Sequence, residues 1–159
     1  MKTLCLVRHG EAAIKPGIAD FDRPLTSWGR QQVKNSGKEF TKLNLSFDLL
    51  VTSSALRAVE TASMLTEAMN YQGVVETRST LYDASQSAFL AELLTFSNDY
   101  ASILVVAHNP GISEVAMKLL VAECIGFGCG DGLVLEFPVE DWRDLLSVDG
   151  SVVQFINGG

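Results

Sequence analysis

An α/β fold with a mainly parallel sheet is what this sequence predicts, and three observations predict it. Short apolar, strand-like runs alternate along the chain with segments of helical periodicity. Two of those runs, Leu4–Val7 and Ile103–Ala107, break into a Gly or Pro turn, and the only two histidines, His9 and His108, fall at the breaks. With 159 residues and no linker, repeat or low-complexity tract, the chain reads as one domain spanning 1–159.

The elements follow in order. A first strand covers Thr3–Val7, and the loop Ala12–Leu25 follows it with Pro16, Gly17 and Pro24. Thr26 is placed to cap a helix over Ser27–Leu43. A strand at Asp48–Thr52 leads to Ser54, read as the cap of a helix over Ala55–Asn70, where Ala58, Ala62, Leu65 and Met69 share one face. Val74–Glu76 is the third strand, and Phe89, Leu93 and Phe96 mark the next helical face. Ile103–Ala107 is the fourth strand; Ile112, Val115, Ala116, Leu119 and Leu120 make the cleanest helical stripe. A Gly-rich turn at Gly126–Gly132 precedes strands at Leu133–Phe137 and Val152–Ile156.

Composition narrows the function. Hydrophobic residues make up 47% and charged residues 19%, as in soluble globular proteins. No stretch approaches the roughly 18–20 apolar residues that span a bilayer. The first apolar run is short and ends at Arg8, unlike a signal peptide, so the expected location is the cytoplasm. The net charge is −7 with no Lys/Arg cluster, which argues against nucleic acid and membrane as partners and for a monomer. Cys5, Cys124 and Cys129 lack metal-type spacing, Cys5 reads as a reduced core thiol, and no zinc site or cofactor is expected.

The chemistry points to phosphate. Ligands of an open parallel sheet bind at the carboxyl ends of the strands, where two strands would bring His9 and His108 into one pocket. Arg8 adjoins His9, and Arg57 lies near a helix start, whose free N–H groups favour anions. A guanidinium fork matches two phosphate oxygens. Arg57 has an alternative, a surface ion pair with Glu60 or Glu67, and Arg23 can either contact phosphate or pair with Asp20 or Asp22 in its loop.

Four motifs in order carry a resemblance that covers the whole chain. Arg8-His9-Gly10-Glu11 resembles the RHG signature of the histidine phosphatase superfamily, and Ser53–Ala62 resembles its S-x-x-x-R-A-x-x-T-A element. Ala107-His108-Asn109-Pro110-Gly111 resembles the second-histidine motif of the small SixA-type phosphohistidine phosphatases. Asp22-Arg23-Pro24-Leu25-Thr26 with Gly29, and the tail around Glu136-Phe137, Trp142 and Phe155, are similar to the same branch.

The resemblance implies a three-layer α/β/α fold of the phosphoglycerate mutase type. It implies His9 as a nucleophile that becomes phosphohistidine, with Arg8, Arg57 and His108 holding the phosphoryl oxygens. Gly10, Asn109 and Arg23 are the expected substrate contacts, and the Gly10 carbonyl is the expected acceptor that fixes the His9 tautomer.

The proton donor is where the chain departs from larger superfamily members. Asp83 in Leu81-Tyr82-Asp83-Ala84-Ser85 is a near match that suits a turn equally well, and Glu11 is the other candidate. Imidazole leaves more readily than an alkoxide, so a site without a dedicated acid suits a phosphoramidate. Short loops imply an open pocket. The expectation is a metal-independent phosphohistidine phosphatase acting on a phosphoprotein such as a histidine phosphotransfer domain. The alternatives are a small-molecule phosphomonoesterase and a non-catalytic phosphate-binding module.

Overall fold

The computed structural model describes residues Met1–Gly159. Six strands form one sheet in the order β3-β2-β4-β1-β5-β6, from β1 (Lys2–Arg8), β2 (Leu49–Ser53), β3 (Val74–Arg78), β4 (Ser102–Ala107), β5 (Gly132–Phe137) and β6 (Ser151–Ile156). The pairs β1/β4, β2/β4 and β2/β3 are parallel, whereas β5 runs antiparallel to both β1 and β6. Short crossover helices connect the parallel strands, as parallel pairing requires. The central strands β1, β2 and β4 are almost wholly buried, which is why their sequences are near-continuous apolar runs.

The helices are α1 (Ser27–Lys42), α2 (Leu56–Ala68), α3 (Gln86–Leu93) and α4 (Gly111–Leu120). On one face, Val33 and Phe40 of α1 and Ala58, Ala62 and Leu65 of α2 pack on Val7, Leu50 and Val106. On the other, Phe89 and Leu93 of α3 and Ile112, Val115 and Leu119 of α4 pack on Leu6, Val51 and Val105, with Trp142 closing that core. The result is the three-layer α/β/α arrangement. No helix is long and apolar enough to cross a membrane.

Three local expectations change. Thr26 caps α1, its Oγ1 accepting the Gly29 N–H at 2.9 Å, but Ser54 does not cap α2. That helix starts one residue later, with Ala55 at its N-cap and no side-chain cap, and it ends at Ala68 instead of Asn70. Phe96 lies beyond α3, because that helix stops at Leu93, yet Phe96 is still buried in the same core. Basic residues are not scattered evenly: Lys34, Lys38 and Lys42 line up at helical spacing along a groove beside Met64 and Ala68.

One feature of topology positions the site. β1 and β4 are neighbours, but α1 after β1 lies on one face of the sheet and α4 after β4 on the other. Their carboxyl ends therefore border a crevice at a topological switch point. Gly10 and Gly29 bring the chain after β1 against the start of α1; a Cβ on Gly10 would lie 2.6 Å from the Gly29 carbonyl oxygen.

Candidate active site

Register brings the two histidines together. Arg8 pairs with Ala107 across β1 and β4, so the next residue on each strand is a histidine. The His9 amide donates to the Ala107 carbonyl at 3.2 Å, and the imidazole centroids lie 5.0 Å apart. Nδ1–H of His9 donates to the Gly10 carbonyl at 2.6 Å, leaving Nε2 as the acceptor of a long 3.3 Å hydrogen bond from Arg57 Nε. The unprotonated nitrogen thus lies beside the guanidinium.

Burial pushes the His9 pKa down to about 3, against the opposing Gly10 carbonyl, and the charges of His108, Arg57 and Arg8 push the same way. Burial also lowers the His108 pKa to about 4, helped by Arg57 and Arg8 and opposed by Asp20. Both imidazoles are therefore neutral at pH 7. His108 Nε2 hydrogen-bonds Ser53 Oγ at 2.7 Å; Ser53 ends β2, the strand on the other side of β4.

The arginines come from three directions. Arg8, at the end of β1, donates Nη1 to the Phe127 carbonyl at 2.8 Å. Its buried Nε and the buried Nδ1 of His108 have no partner within the protein. Unpaired buried polar atoms are costly, and here they supply hydrogen-bonding capacity in the cleft that holds both imidazoles. Arg57, second residue of α2, is buried and pairs with neither Glu60 nor Glu67. Its Nη1 donates to the Asp20 carbonyl at 2.7 Å and its Nη2 to Asp20 Oδ2 at 3.1 Å.

The facing wall is made of loop. The Asp20 carboxylate also accepts from Arg23 Nη1 at 2.9 Å and from the Tyr82 hydroxyl at 2.7 Å. These bonds, with Tyr82 first, hold its pKa far below the usual carboxylate range. Arg23 is further tied to the Ala13 and Ala12 carbonyls at 2.8 and 3.3 Å. Phe21 meets Tyr82 edge-on, and Tyr82 meets His108 edge-on at 5.8 Å.

A cleft of about 780 Å³ brings together Arg8, His9, Arg57, His108 and Arg23 with Glu11, Asp83 and Asn109. Gly10 lies behind this surface, with its N–H donated to Thr61 Oγ1 at 3.1 Å and its carbonyl accepting from His9 Nδ1–H, so its polar groups brace the His9 ring. Asn109 is likewise engaged in bracing: Nδ2 donates to the Phe127 carbonyl at 3.2 Å, and Oδ1 accepts from Ser113 at 2.7 Å. Asp83 sits in a turn with φ +52°. No three His, Cys, Asp or Glu side chains converge as a metal site would need.

Ser53 and Thr61 enter the sequence reading only as motif positions and Asp20 only as a partner for Arg23, a pair the structure forms at 2.9 Å, whereas Tyr82 has no site role there. Ser53 had a readable signal, since it ends a strand four residues before Arg57. The contact of Tyr82 with Asp20, 62 residues away, had none.

Residues 4–86 match the profile of the histidine phosphatase superfamily (branch 1), and the chain belongs to that superfamily. An uncharacterised protein of Picosynechococcus sp. is 34% identical over 133 residues, covering 79% of this chain and 73% of that protein. The mitochondrial serine/threonine-protein phosphatase Pgam5 of Drosophila persimilis is 35% identical over 69 residues, which are 43% of this chain and 24% of that relative.

Among solved structures, a SixA protein from Nakamurella multipartitia superposes with a TM-score of 0.79 at 26% identity, over 97% of this chain and 94% of the other. The protein histidine phosphatase SixA complexed with tungstate has the same fold, with a TM-score of 0.83 at 21% identity over 98% and 97% of the two chains. The protein is a phosphatase-type hydrolase of this superfamily.

Proposed function

We propose that the protein is a metal-independent phosphohistidine phosphatase that dephosphorylates a phosphoprotein, such as a histidine phosphotransfer domain, through phospho-His9. It would act as a cytoplasmic monomer in signal transduction, with no nucleic-acid or membrane partner. The observation that carries the reading is a buried, neutral imidazole whose free Nε2 lies 3.3 Å from Arg57 Nε and whose ring is 5.0 Å from that of His108.

In the first step Nε2 of His9 attacks phosphorus while the P–N bond to the substrate imidazole breaks. The substrate ring, already protonated on its other nitrogen, departs as neutral imidazole and needs no proton from the protein. Water then attacks phosphorus, the bond to Nε2 breaks, and orthophosphate and neutral His9 result. Arg8, Arg57 and His108 hold the equatorial oxygens and stabilise their charge as the bonds exchange; Arg23 faces the outer side of the cleft.

The preference for phosphohistidine rests on proton chemistry. Asp20, which bonds into the site, is ionised far below neutral pH and is no source of a proton for an alkoxide. An imidazole leaving group makes a smaller demand on the enzyme. The likeness to a SixA protein supports the same choice.

The test is orthophosphate release from a phosphohistidine-bearing protein and from a panel of phosphomonoesters, with EDTA present throughout. Release that favours the phosphoprotein supports the reading, whereas monoester preference contradicts it. Asp83, in the cleft wall beside His108 and Asn109, favours a second reading as a small-molecule phosphomonoesterase. In that case Asp83→Asn cuts monoester turnover strongly and phosphohistidine turnover little.

A further inference from the structure

Arg57 addresses three acceptors at once: His9 Nε2 through Nε at 3.3 Å, the Asp20 carbonyl through Nη1 at 2.7 Å, and Asp20 Oδ2 through Nη2 at 3.1 Å. Asp20 Oδ1 takes Arg23 Nη1 at 2.9 Å, and Oδ2 also takes the Tyr82 hydroxyl at 2.7 Å. One carboxylate therefore stretches between two guanidiniums that line the cleft, one from α2 and one from the loop. Anionic oxygens bridging arginine forks are the arrangement a phosphoryl group itself adopts.

We propose that Asp20 is a built-in competitor for the oxyanion site. Its carboxylate holds Arg57 and Arg23 in the absence of a phosphoryl group, yields them to the incoming substrate, and on its return promotes release of orthophosphate. The inference rests on the phosphoryl-transfer reading above and gives a role to a residue that the mechanism leaves unused.

The two partners differ in freedom. The Asp20 side chain is 52% exposed and can swing into water, whereas that of Arg57 is 9% exposed and stays. The backbone carbonyl of Asp20 keeps its bond to Nη1 whatever the carboxylate does, so Arg57 remains aimed at His9 while Nη2 is released. Charge sets the direction of exchange. A phosphoryl dianion binds a pair of guanidiniums more strongly than a half-exposed monoanion, and a carboxylate left beside it would repel it. Orthophosphate must leave after every turnover, and a tethered anion that reclaims the arginines lowers its affinity without altering the groups that act on the reacting atoms.

The alternative role for Asp20 is bracing, and it predicts the opposite sign. The test is calorimetric binding of orthophosphate, and separately of tungstate, to the full chain and to its Asp20→Asn variant. The amide keeps the size of the side chain and an acceptor for Arg57 but removes the charge. Competition predicts that both anions bind about two- to fivefold more tightly to the variant, the scale of a partly exposed charge pair. Asp20→Ala, which retains the backbone carbonyl, is expected to tighten binding as well. Unchanged or weaker binding in either variant overturns the competitor and leaves the phosphatase reading intact. Failure of the unaltered chain and both variants to bind either anion overturns both.

Discussion

The two walls of the cleft are held in place by different means. Arg8, His9 and His108 hang from the ends of β1 and β4, central strands whose register sets the 5.0 Å spacing of the rings. Asp20, Arg23, Tyr82 and Asp83 come from the loop after β1 and the turn before α3, and side-chain hydrogen bonds join this wall, Arg23 to Asp20 within the loop and Tyr82 to Asp20 across 62 residues. On the strand wall His9 is buried and Arg8 and His108 are partly buried, whereas on the loop wall the side chains of Arg23 and Asp20 are 26% and 52% exposed. Substitutions on the strand wall should therefore change kcat, whereas those on the loop wall should change affinity.

The largest expected effect is at His9, the proposed nucleophile. His9→Ala should lower kcat on a phosphohistidine protein by about 10⁴ or more, as loss of a covalent nucleophile does. Arg57→Ala, measured in the same assay, should cost about 10²–10³ in kcat through lost stabilisation of the transferring oxygens. Ser53→Ala frees the His108 ring to turn and is expected to cost about tenfold in kcat with little change in KM. On the loop wall, Arg23→Ala should raise KM by less than about tenfold and leave kcat nearly unchanged. A kcat loss at Arg23 as large as that at Arg57 would break the comparison, because it would place the loop in the chemistry.

pH sharpens it further. In the unfolded chain His9 and His108 protonate near the ordinary value of 6.5, but in the folded protein only near 3 and 4. Between these values the unfolded state binds more protons, so stability contributed by the two rings falls as pH drops from about 6.5 towards 4. The urea midpoint should decline over that window, and less steeply in His108→Gln. A midpoint that does not respond to pH would contradict the buried, neutral state of the rings.

What was legible in the sequence follows the same division. All six strands and the four helices are readable because period and burial act locally, although Met69 and Phe96, read as part of helical faces, fall just past the ends of α2 and α3. Arg8, His9, Arg57 and His108 stand out because each sits where a strand or helix meets a turn. The cap of α2 was misread because Ser54 and Ala55 differ by one position and backbone geometry decides between them. Tyr82 could not be assigned, since its hydrogen bond to Asp20 closes a loop of 62 residues and no local pattern encodes it, whereas the pair of Asp20 with Arg23, three residues apart, is among the readings the sequence offers. The bond from His9 to the Gly10 carbonyl is legible in the sequence because the two residues are adjacent, whereas the bonds of the Gly10 N–H to Thr61 and of the Asn109 side chain to Phe127 and Ser113 emerge only in tertiary structure.

The central claim is that His9 Nε2 carries the phosphoryl group during turnover. Its most direct test is to mix the protein with a ³²P-phosphohistidine protein, quench in alkali within milliseconds, and map the label by mass spectrometry. The account predicts an acid-labile, alkali-stable phosphoryl group on His9 in the unaltered chain and in His108→Ala, and none in His9→Ala. Turnover with label on another residue, or turnover by His9→Ala, would contradict it.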